Sequence, residues 1–422
     1  MSFFTTLFQT FILVFTVLIC ILSQAHAGDT VISGFTVTGF RSTVDDYEDE
    51  DEAHDYEYTN YGLRLKHKAS DFVLYDVSSY LYNKDYSEED DLDNKSKILK
   101  GSVSYVLHES EDAPIHLGIR IKYREKRYDN EPSNDYNQFL VSPTVTFGKS
   151  SRTTLKFSTA FQNFNYLHAQ EKDQIKLSAK IAGTHYPPHK RLKLVASYKI
   201  ETQTEDHINR EKTKHDIFGG FDYIFDHPAL DKIMARVRWG QRDTKEDDIR
   251  DLDHDYEYRT LYIKTLHTIN RNVKTDLKYY YFRKDYVSAE LDHESISISN
   301  TWRYIIQNNA AERITVGLKA TYKDMDYDLK PDNSYEKICI EIRTGYQKKK
   351  DWKTALSIKG DFYDYHDSDK DKNRYAVRMT GEKLFLHNAF TLSLTPTYRY
   401  TDYKHQDDDS HGSVKIAFSY TF

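Results

Sequence analysis

Residues Gly412 to Phe422 read GSVKIAFSYTF. Val414, Ile416, Phe418, Tyr420 and Phe422 alternate with Lys415, Ala417, Ser419 and Thr421. Successive side chains of a strand point to opposite faces. One face of this stretch is therefore apolar and aromatic, and the other is small or charged. The sequence stops on the aromatic face.

The same alternation recurs upstream. Leu63 and Leu65 flank Arg64 and Lys66, and Ile119, Ile121 and Tyr123 alternate with Arg120, Lys122 and Arg124. Ile175, Leu177, Ala179 and Ile181 enclose Lys176, Ser178 and Lys180. Leu192, Leu194, Ala196 and Tyr198 alternate with Lys193, Val195, Ser197 and Lys199, and Ile314, Val316 and Leu318 with Arg313, Thr315, Gly317 and Lys319. Almost no stretch is apolar on more than one face, so a large water-excluding core has no material. A sheet with lipid on one side and water on the other fits the pattern. Charged side chains facing the bilayer midplane cost about 2–4 kcal/mol, so the charged rows are expected to face a lumen.

The N-terminus has one apolar run, Phe11 to Leu22, followed by Ser23, Gln24 and Ala25-His26-Ala27. The run is short for a membrane helix, and the A-x-A site predicts a secretory signal cleaved after Ala27. No Lys or Arg precedes the run. A lipid anchor at Cys20 is the competing reading, against which the bulky Ile19 counts. Residues 28–422 are expected to form a single domain. They hold no second long apolar run, which excludes helical spans. Cleavage leaves Cys339 as the sole cysteine, so no intrachain disulfide is expected.

Strands of about ten to thirteen residues are expected between two kinds of connection, since a tilted strand needs roughly 9–11 residues to cross a bilayer. Acidic loops are expected near Asp45–Glu57, Asn83–Lys95, Asp129–Tyr136, Leu167–Asp173, Glu201–Lys214, Asp243–Asp255, Lys284–His293, Asp326–Ser334, Tyr365–Arg374 and Tyr403–His411. Tight turns are expected near Ala69–Asp71, Ser110–Pro114, Gly148–Ser151, Tyr186–Lys190, Asp226–Asp231, Asn270–Asn272, Gln307–Glu312, Gln347–Trp352 and His387–Asn388. Long and short alternate throughout, which implies an all-β, antiparallel up-and-down barrel of about 20 strands, with 18 as the alternative and no plug domain. The first strand, Val31 to Arg41, and those flanking Gly381 and Pro396 carry the weakest signals. An even strand count places both termini on the side of the tight turns.

The rows predicted to face inward are basic. They comprise Arg64, Lys66, Lys100, Arg120, Lys122, Arg124, Lys156, Lys176, Lys180, Lys193, Lys199, Arg236, Arg238, Lys264, Lys274, Lys278, Arg303, Arg313, Lys319, Lys337, Arg343, Lys353, Lys359, Arg378, Arg399 and Lys415. The inward acids are few: Asp76, Asp222, Asp276, Glu341 and Asp361. The whole chain is nevertheless net acidic, at −7, so the acidic excess is expected in the loops. A wet pore of one sign concentrates counter-ions and rejects co-ions. Anionic solutes or an acidic polysaccharide are the expected cargo. Tyr58, Tyr82, Tyr281, Tyr286, Tyr322, Tyr363 and Tyr400 at the strand ends, with Trp302 and Trp352 toward the tight turns, are expected to form interfacial girdles. High strand propensity alone also accounts for them.

The closing strand, with Phe418, Tyr420 and Phe422, resembles the terminal assembly-signal strand of Gram-negative outer-membrane β-barrel proteins of porin-like type. That resemblance implies recognition by a barrel-assembly machinery, contact with outer-membrane lipid and lipopolysaccharide, and N- and C-termini in the periplasm. Monomer and homo-oligomer both fit. The alternative to a porin or export pore is a non-transport surface barrel, an adhesin or structural protein. Its acidic loops, Asp45–Glu52, Glu88–Asp93 and Asp407–Asp409, would bind a partner or divalent cations. No loop has calcium-motif spacing, so no metal site is assigned. His54, His207, His254, His267 and His405 stand in no diagnostic catalytic motif, and neither an enzyme nor a cofactor is expected. Basic residues confined to strands form no exposed patch for nucleic acid.

Overall fold

The computed structural model describes residues 30–44, 56–86, 93–108, 114–148, 152–188, 191–205, 210–227, 230–245, 255–287, 292–309, 312–348, 351–385, 390–404 and 409–421. The expected signal segment, Cys20 and Phe422 lie outside them, as do His54, His207, His254 and His405. Side chains of Thr30–Val44, Lys415, Phe418 and Tyr420 are also outside the description, which there covers backbone only.

The strands are β1 (Thr30–Val44), β2 (Tyr56–Lys68), β3 (Val73–Tyr86), β4 (Asn94–His108), β5 (Ile115–Tyr128), β6 (Tyr136–Phe147), β7 (Thr153–Tyr166), β8 (Gln174–His185), β9 (Leu192–Glu205) and β10 (Arg210–Ile224). They continue as β11 (Lys232–Lys245), β12 (Tyr256–Asn270), β13 (Val273–Tyr286), β14 (His293–Asn308), β15 (Glu312–Tyr327), β16 (Tyr335–Lys348), β17 (Trp352–Tyr365), β18 (Lys372–Phe385), β19 (Phe390–Tyr403) and β20 (Asp409–Thr421). Each pairs antiparallel with its sequence neighbours in an up-and-down order. Within β2–β19 the side chains are described except at 56–58, 85–86, 108 and 390. The backbone of β1 also pairs with β20, from Ser33↔Thr421 to Val44↔Ser410. No helix among the described residues is long and apolar enough to cross a membrane.

The packing is inverted relative to a soluble protein. On β16, Cys339 and Glu341 are 6% and 7% exposed, while Ile338, Ile340 and Ile342 between and beside them are 52%, 44% and 47% exposed. On a curved sheet side chains crowd on the concave face and splay on the convex one. The polar row is therefore inner and the aliphatic row outer. Leu63, Ile119, Ile121, Phe139, Leu177, Val237 and Tyr398 extend the exposed apolar band around the outside. So large a band is stable only against an apolar medium.

Local chemistry sets the ends of the hairpins. At the tight-turn end, Asn270 Oδ1 accepts from the backbone N–H of Asn272 and of Val273, both at 2.9 Å, and returns the chain in two residues. Gly148 turns the chain after β6 with φ +87, and a Cβ there would stand 2.1 Å from the Thr153 carbonyl oxygen. At the acidic end a recurrent clasp appears. The backbone N–H of Tyr128, Tyr166, Tyr286 and Tyr365 donates to a carboxylate oxygen of Asp135, Asp173, Asp292 and Asp371, at 2.5–2.7 Å. Tyr327 N–H donates to Ser334 Oγ at 2.8 Å in the same position. The clasping residue directly precedes the returning strand, so each loop is pinned where it re-enters the sheet.

Two expectations need correction. The acidic connections are not uniformly long. The stretch Glu201–Lys214 is mostly strand, because β9 runs on to Glu205 and β10 starts at Arg210. Glu205 and Lys212 face inward there and pair, with Lys212 Nζ 2.9 Å from Glu205 Oε1. Conversely the connection at 225–231 is as long as several acidic ones. The strands are 12–16 residues long, so the longer ones run past the expected ten to thirteen, because their polar ends continue past the apolar band.

Candidate functional site: the inner face

Following Cα partners from strand to strand locates the basic row. Arg64 pairs with Ser78, Ser78 with Lys100 and Lys100 with Lys122. Lys122 leads through Leu140 and Gln162 to Lys176, and Lys176 through Gln203 to Lys212 and Thr244. Partners in an antiparallel ladder share a face. By this register every basic residue expected to line the interior, from Arg64 to Arg399, lies on the inner face, and Lys415 holds the same register position in backbone, opposite Gly39 and Thr395.

The row divides into two sectors. In one, acids pair with part of it. Arg64 donates to Asp76, with Nε at 2.9 Å. Asp222 accepts from Lys232 at 2.8 Å and from Arg236. Asp361 takes Lys337 at 3.0 Å and also Lys359. Glu341 is held by Arg343 Nε at 2.6 Å, Arg343 Nη2 at 2.8 Å and Ser357 Oγ at 2.7 Å. Asp276 lies between Lys264 and Lys278 at 3.8 and 3.6 Å.

Asp216 was not among the expected inward acids, although it shares parity with Asp222. It accepts from Arg238 Nε at 2.8 Å and from the Tyr258 hydroxyl. Tyr258 reaches it by lying flat over Gly240, its register partner; a Cβ on Gly240 would stand 2.3–2.6 Å from three atoms of that ring and hydroxyl. Glu201, Glu205 and Glu382 also face inward and were missed. Lys199 pairs with Glu201 and Lys353 with Glu382.

The second sector spans β4–β8. Its inner positions carry Lys100, Arg120, Lys122, Arg124, Lys126, Lys156, Lys176 and Lys180, and no Asp or Glu occupies that face there. The neighbours are neutral. Lys122 Nζ donates to Gln138 Oε1 at 2.9 Å, and Lys100 Nζ lies 4.8 Å from the centre of the Tyr80 ring.

The tyrosine girdle is only half on the outside. Tyr281, Tyr322 and Tyr400 point outward, as do Trp302 and Trp352. Tyr82, Tyr286 and Tyr363 share the inner face with the lysines; the side chain of Tyr58 is outside the description. Strand-end position carried the expectation, but parity decides the face.

The inner tyrosines join Tyr128, Tyr136, Tyr166, Tyr256, Tyr327, Tyr335, Tyr365 and Tyr403 in a collar just under the acidic loops. Ring centres within it stand 5.6 Å apart for Tyr136–Tyr166, 5.7 Å for Tyr256–Tyr286 and 5.1 Å for Tyr335–Tyr365. Cations lie over the rings: Lys284 is 3.9 Å from the centre of Tyr256, Lys126 is 4.1 Å from Tyr128, and Lys337 is 4.3 Å from Tyr363.

On the outer face near the same rim, Asp324, Glu336 and Asp364 are consecutive register partners. Among the described residues no group of three or more His, Cys, Asp or Glu is arranged to hold a metal ion. His267 bonds to Thr265 Oγ1 at 2.9 Å.

No family model matches the chain, and no curated protein matches it. Solved structures do. The copper transporter OprC aligns at TM-score 0.54 and 8% identity, covering 94% of this chain and 81% of that one. The alcaligin outer-membrane receptor FauA of Bordetella pertussis aligns at 0.52 and 10%, covering 93% and 76%. The ferric enterobactin receptor PfeA of Pseudomonas aeruginosa aligns at 0.52 and 9%, covering 94% and 81%. At such identities the likeness is one of fold, and the chain has the fold of the Gram-negative outer-membrane β-barrels.

Proposed function

We propose that this protein is an outer-membrane transport channel, a twenty-strand barrel without a plug that passes anionic solutes along one basic wall. The observation that carries the reading is the inner face of β4–β8, where lysines and arginines stand together with no acid among them. In a water-filled lumen such a wall concentrates anions and repels cations. Elsewhere on the inner face acids pair with part of the row, at Asp76, Asp216, Asp222, Glu341 and Asp361, and weaken its field there. Backbone pairing of β1 with β20 supports closure. Every described segment outside the strands is a short connection, which supports an open lumen. Two of the structural neighbours are named as receptors and one as a transporter, in keeping with traffic through the barrel. The outer apolar band supports residence in lipid, and the Gram-negative outer membrane is the location of that fold.

Reconstitution in planar bilayers tests this reading. The wild-type barrel should give discrete conductance steps carried mainly by anions. Replacing Arg120, Lys122 and Arg124 with Glu should reverse the preference. A barrel that inserts and stays silent would overturn the proposal in favour of a structural or adhesive role.

A further inference from the structure

We infer that the inner collar of tyrosines and cations under the acidic loops is a recognition site for acidic saccharides. The inference rests on the channel reading, and names the class of solute the mouth selects.

The collar repeats one local unit. A lysine ammonium donates to a tyrosine hydroxyl on the same inner face: Lys323 to Tyr335 at 2.8 Å, Lys337 to Tyr363 at 2.6 Å, and likewise Lys126 to Tyr128 and Lys284 to Tyr286. Each unit stands at the acidic-loop end of its strand. A tyrosine oxygen that accepts from an ammonium keeps its own O–H to donate. Each unit therefore offers a hydroxyl donor beside a lysine; one lies on β5, one on β13, and two on neighbouring strand pairs, β15–β16 and β16–β17, with Lys337 of the last also paired to Asp361.

The ring faces are already covered. Tyr256 has Lys284, Arg242 and Lys214 over it, and Tyr363 has Lys337, Lys372 and Arg374. A ligand that binds by stacking, such as a nucleobase, needs an open face and finds few here. A ligand with many hydroxyls and a carboxylate on each unit finds donors and charges in alternation. Uronic-acid chains have that composition. Below the β5–β8 part of the collar the acid-free wall begins directly, with Arg124 over Tyr136 and Lys176 over Phe164, so a chain caught along that arc is handed to the anion path.

The test is calorimetric titration of the refolded full-length barrel in detergent with tetragalacturonate. Cellotetraose, tripolyphosphate and an oligothymidylate serve as comparisons, and heat-modifiable gel mobility confirms folding. The variant is Tyr335→Phe with Tyr363→Phe, which keeps both rings and removes two hydroxyls. Tetragalacturonate should bind more tightly than cellotetraose and the oligothymidylate. Its affinity should fall about tenfold in the variant, in line with the loss of two hydrogen bonds, while tripolyphosphate binding is unchanged.

Absent tetragalacturonate binding, an undiminished affinity in the variant, an equal loss for tripolyphosphate, or oligothymidylate binding as tight as the uronate would each overturn the assignment. Titration does not require conduction. A barrel that binds the uronate but carries no current would sink the channel and leave the collar standing.

Discussion

Replacing Gly240 with Ala tests the interior register directly. A Cβ at this position would lie 2.3, 2.4 and 2.6 Å from Cε1, Cζ and the hydroxyl oxygen of Tyr258. No real contact is that short, so the ring must lift. Lifting it withdraws the Tyr258 hydroxyl from Asp216, which is otherwise held by Arg238. Overpacking of this kind costs about 1–3 kcal/mol, and a hydrogen bond to a charged group about 1.5–3 kcal/mol. The two overlap, because the same displacement relieves the clash and breaks the bond, so a loss of about 2–4 kcal/mol is expected. The assay is urea unfolding of the refolded barrel in detergent, followed by tryptophan fluorescence and gel mobility. Combining Gly240→Ala with Tyr258→Ala should add much less than the sum of the single losses, because the clash is then gone. Wild-type stability of the Gly240→Ala barrel, or simple additivity in the double variant, would show that Tyr258 does not lie over Gly240 and that the inner register of β10–β12 is wrong.

The remaining predictions concern loops and faces. Asp135→Ala, Asp173→Ala and Asp371→Ala should each release a loop from its strand, costing about 1 kcal/mol and raising protease cleavage of that loop in the refolded barrel; unchanged cleavage would refute the clasp. Lys404 and Asp371 lie outside the membrane, and the hydrogen bond to Asp371 raises the Lys404 pKa above 10.5. A raised lysine pKa means that the contact is fully present below the ordinary value and lost as pH climbs through the raised one. An amine titration followed by NMR should therefore show Lys404 still charged where exposed lysines have titrated, and should lose that delay in Asp371→Asn. In a Cys339→Ser background, Ser357→Cys should react with a small water-soluble thiol reagent and Ile340→Cys only with a membrane-partitioning one; the opposite pattern would exchange the two faces.

Much of this fold is legible in the sequence, for a physical reason. A period of two assigns a face to each residue once one lipid-facing side chain is known, and the inner basic row follows by counting from any of its members. Turn chemistry marks the connections, as at Asn270–Asn272 and Gly148. Strand ends are less visible. Where a strand leaves the apolar band both its faces are polar, so Glu201–Lys214 reads as loop although Glu205 and Lys212 pair across a ladder. Neutralisation is hidden for a related reason. Single-strand alternation finds Arg238, but the Asp216 that quenches it comes from the neighbouring strand and requires the register. The collar was open to counting, since Tyr286 and Lys284 share parity. Proximity to the loops, taken as a sign of a lipid interface, pointed the other way. The aspartate clasps left a signal too, a Tyr ending one strand and an Asp directly before the next, as in Tyr128–Asp135 and Tyr166–Asp173.

The central claim is that an acid-free wall sets the preference for anions, and the zero-current potential of the reconstituted barrel under a KCl gradient tests it most directly. Three barrels should be compared: wild type, a variant with Lys100, Lys122 and Lys176 changed to Glu, and a control with Arg343→Gln and Glu341→Gln in the paired sector. The account predicts an anion-selective potential for wild type, a shift to cation selectivity for the wall variant, and a potential near wild type for the control. A cation-selective wild type, or a control that moves the potential as far as the wall variant does, would contradict it.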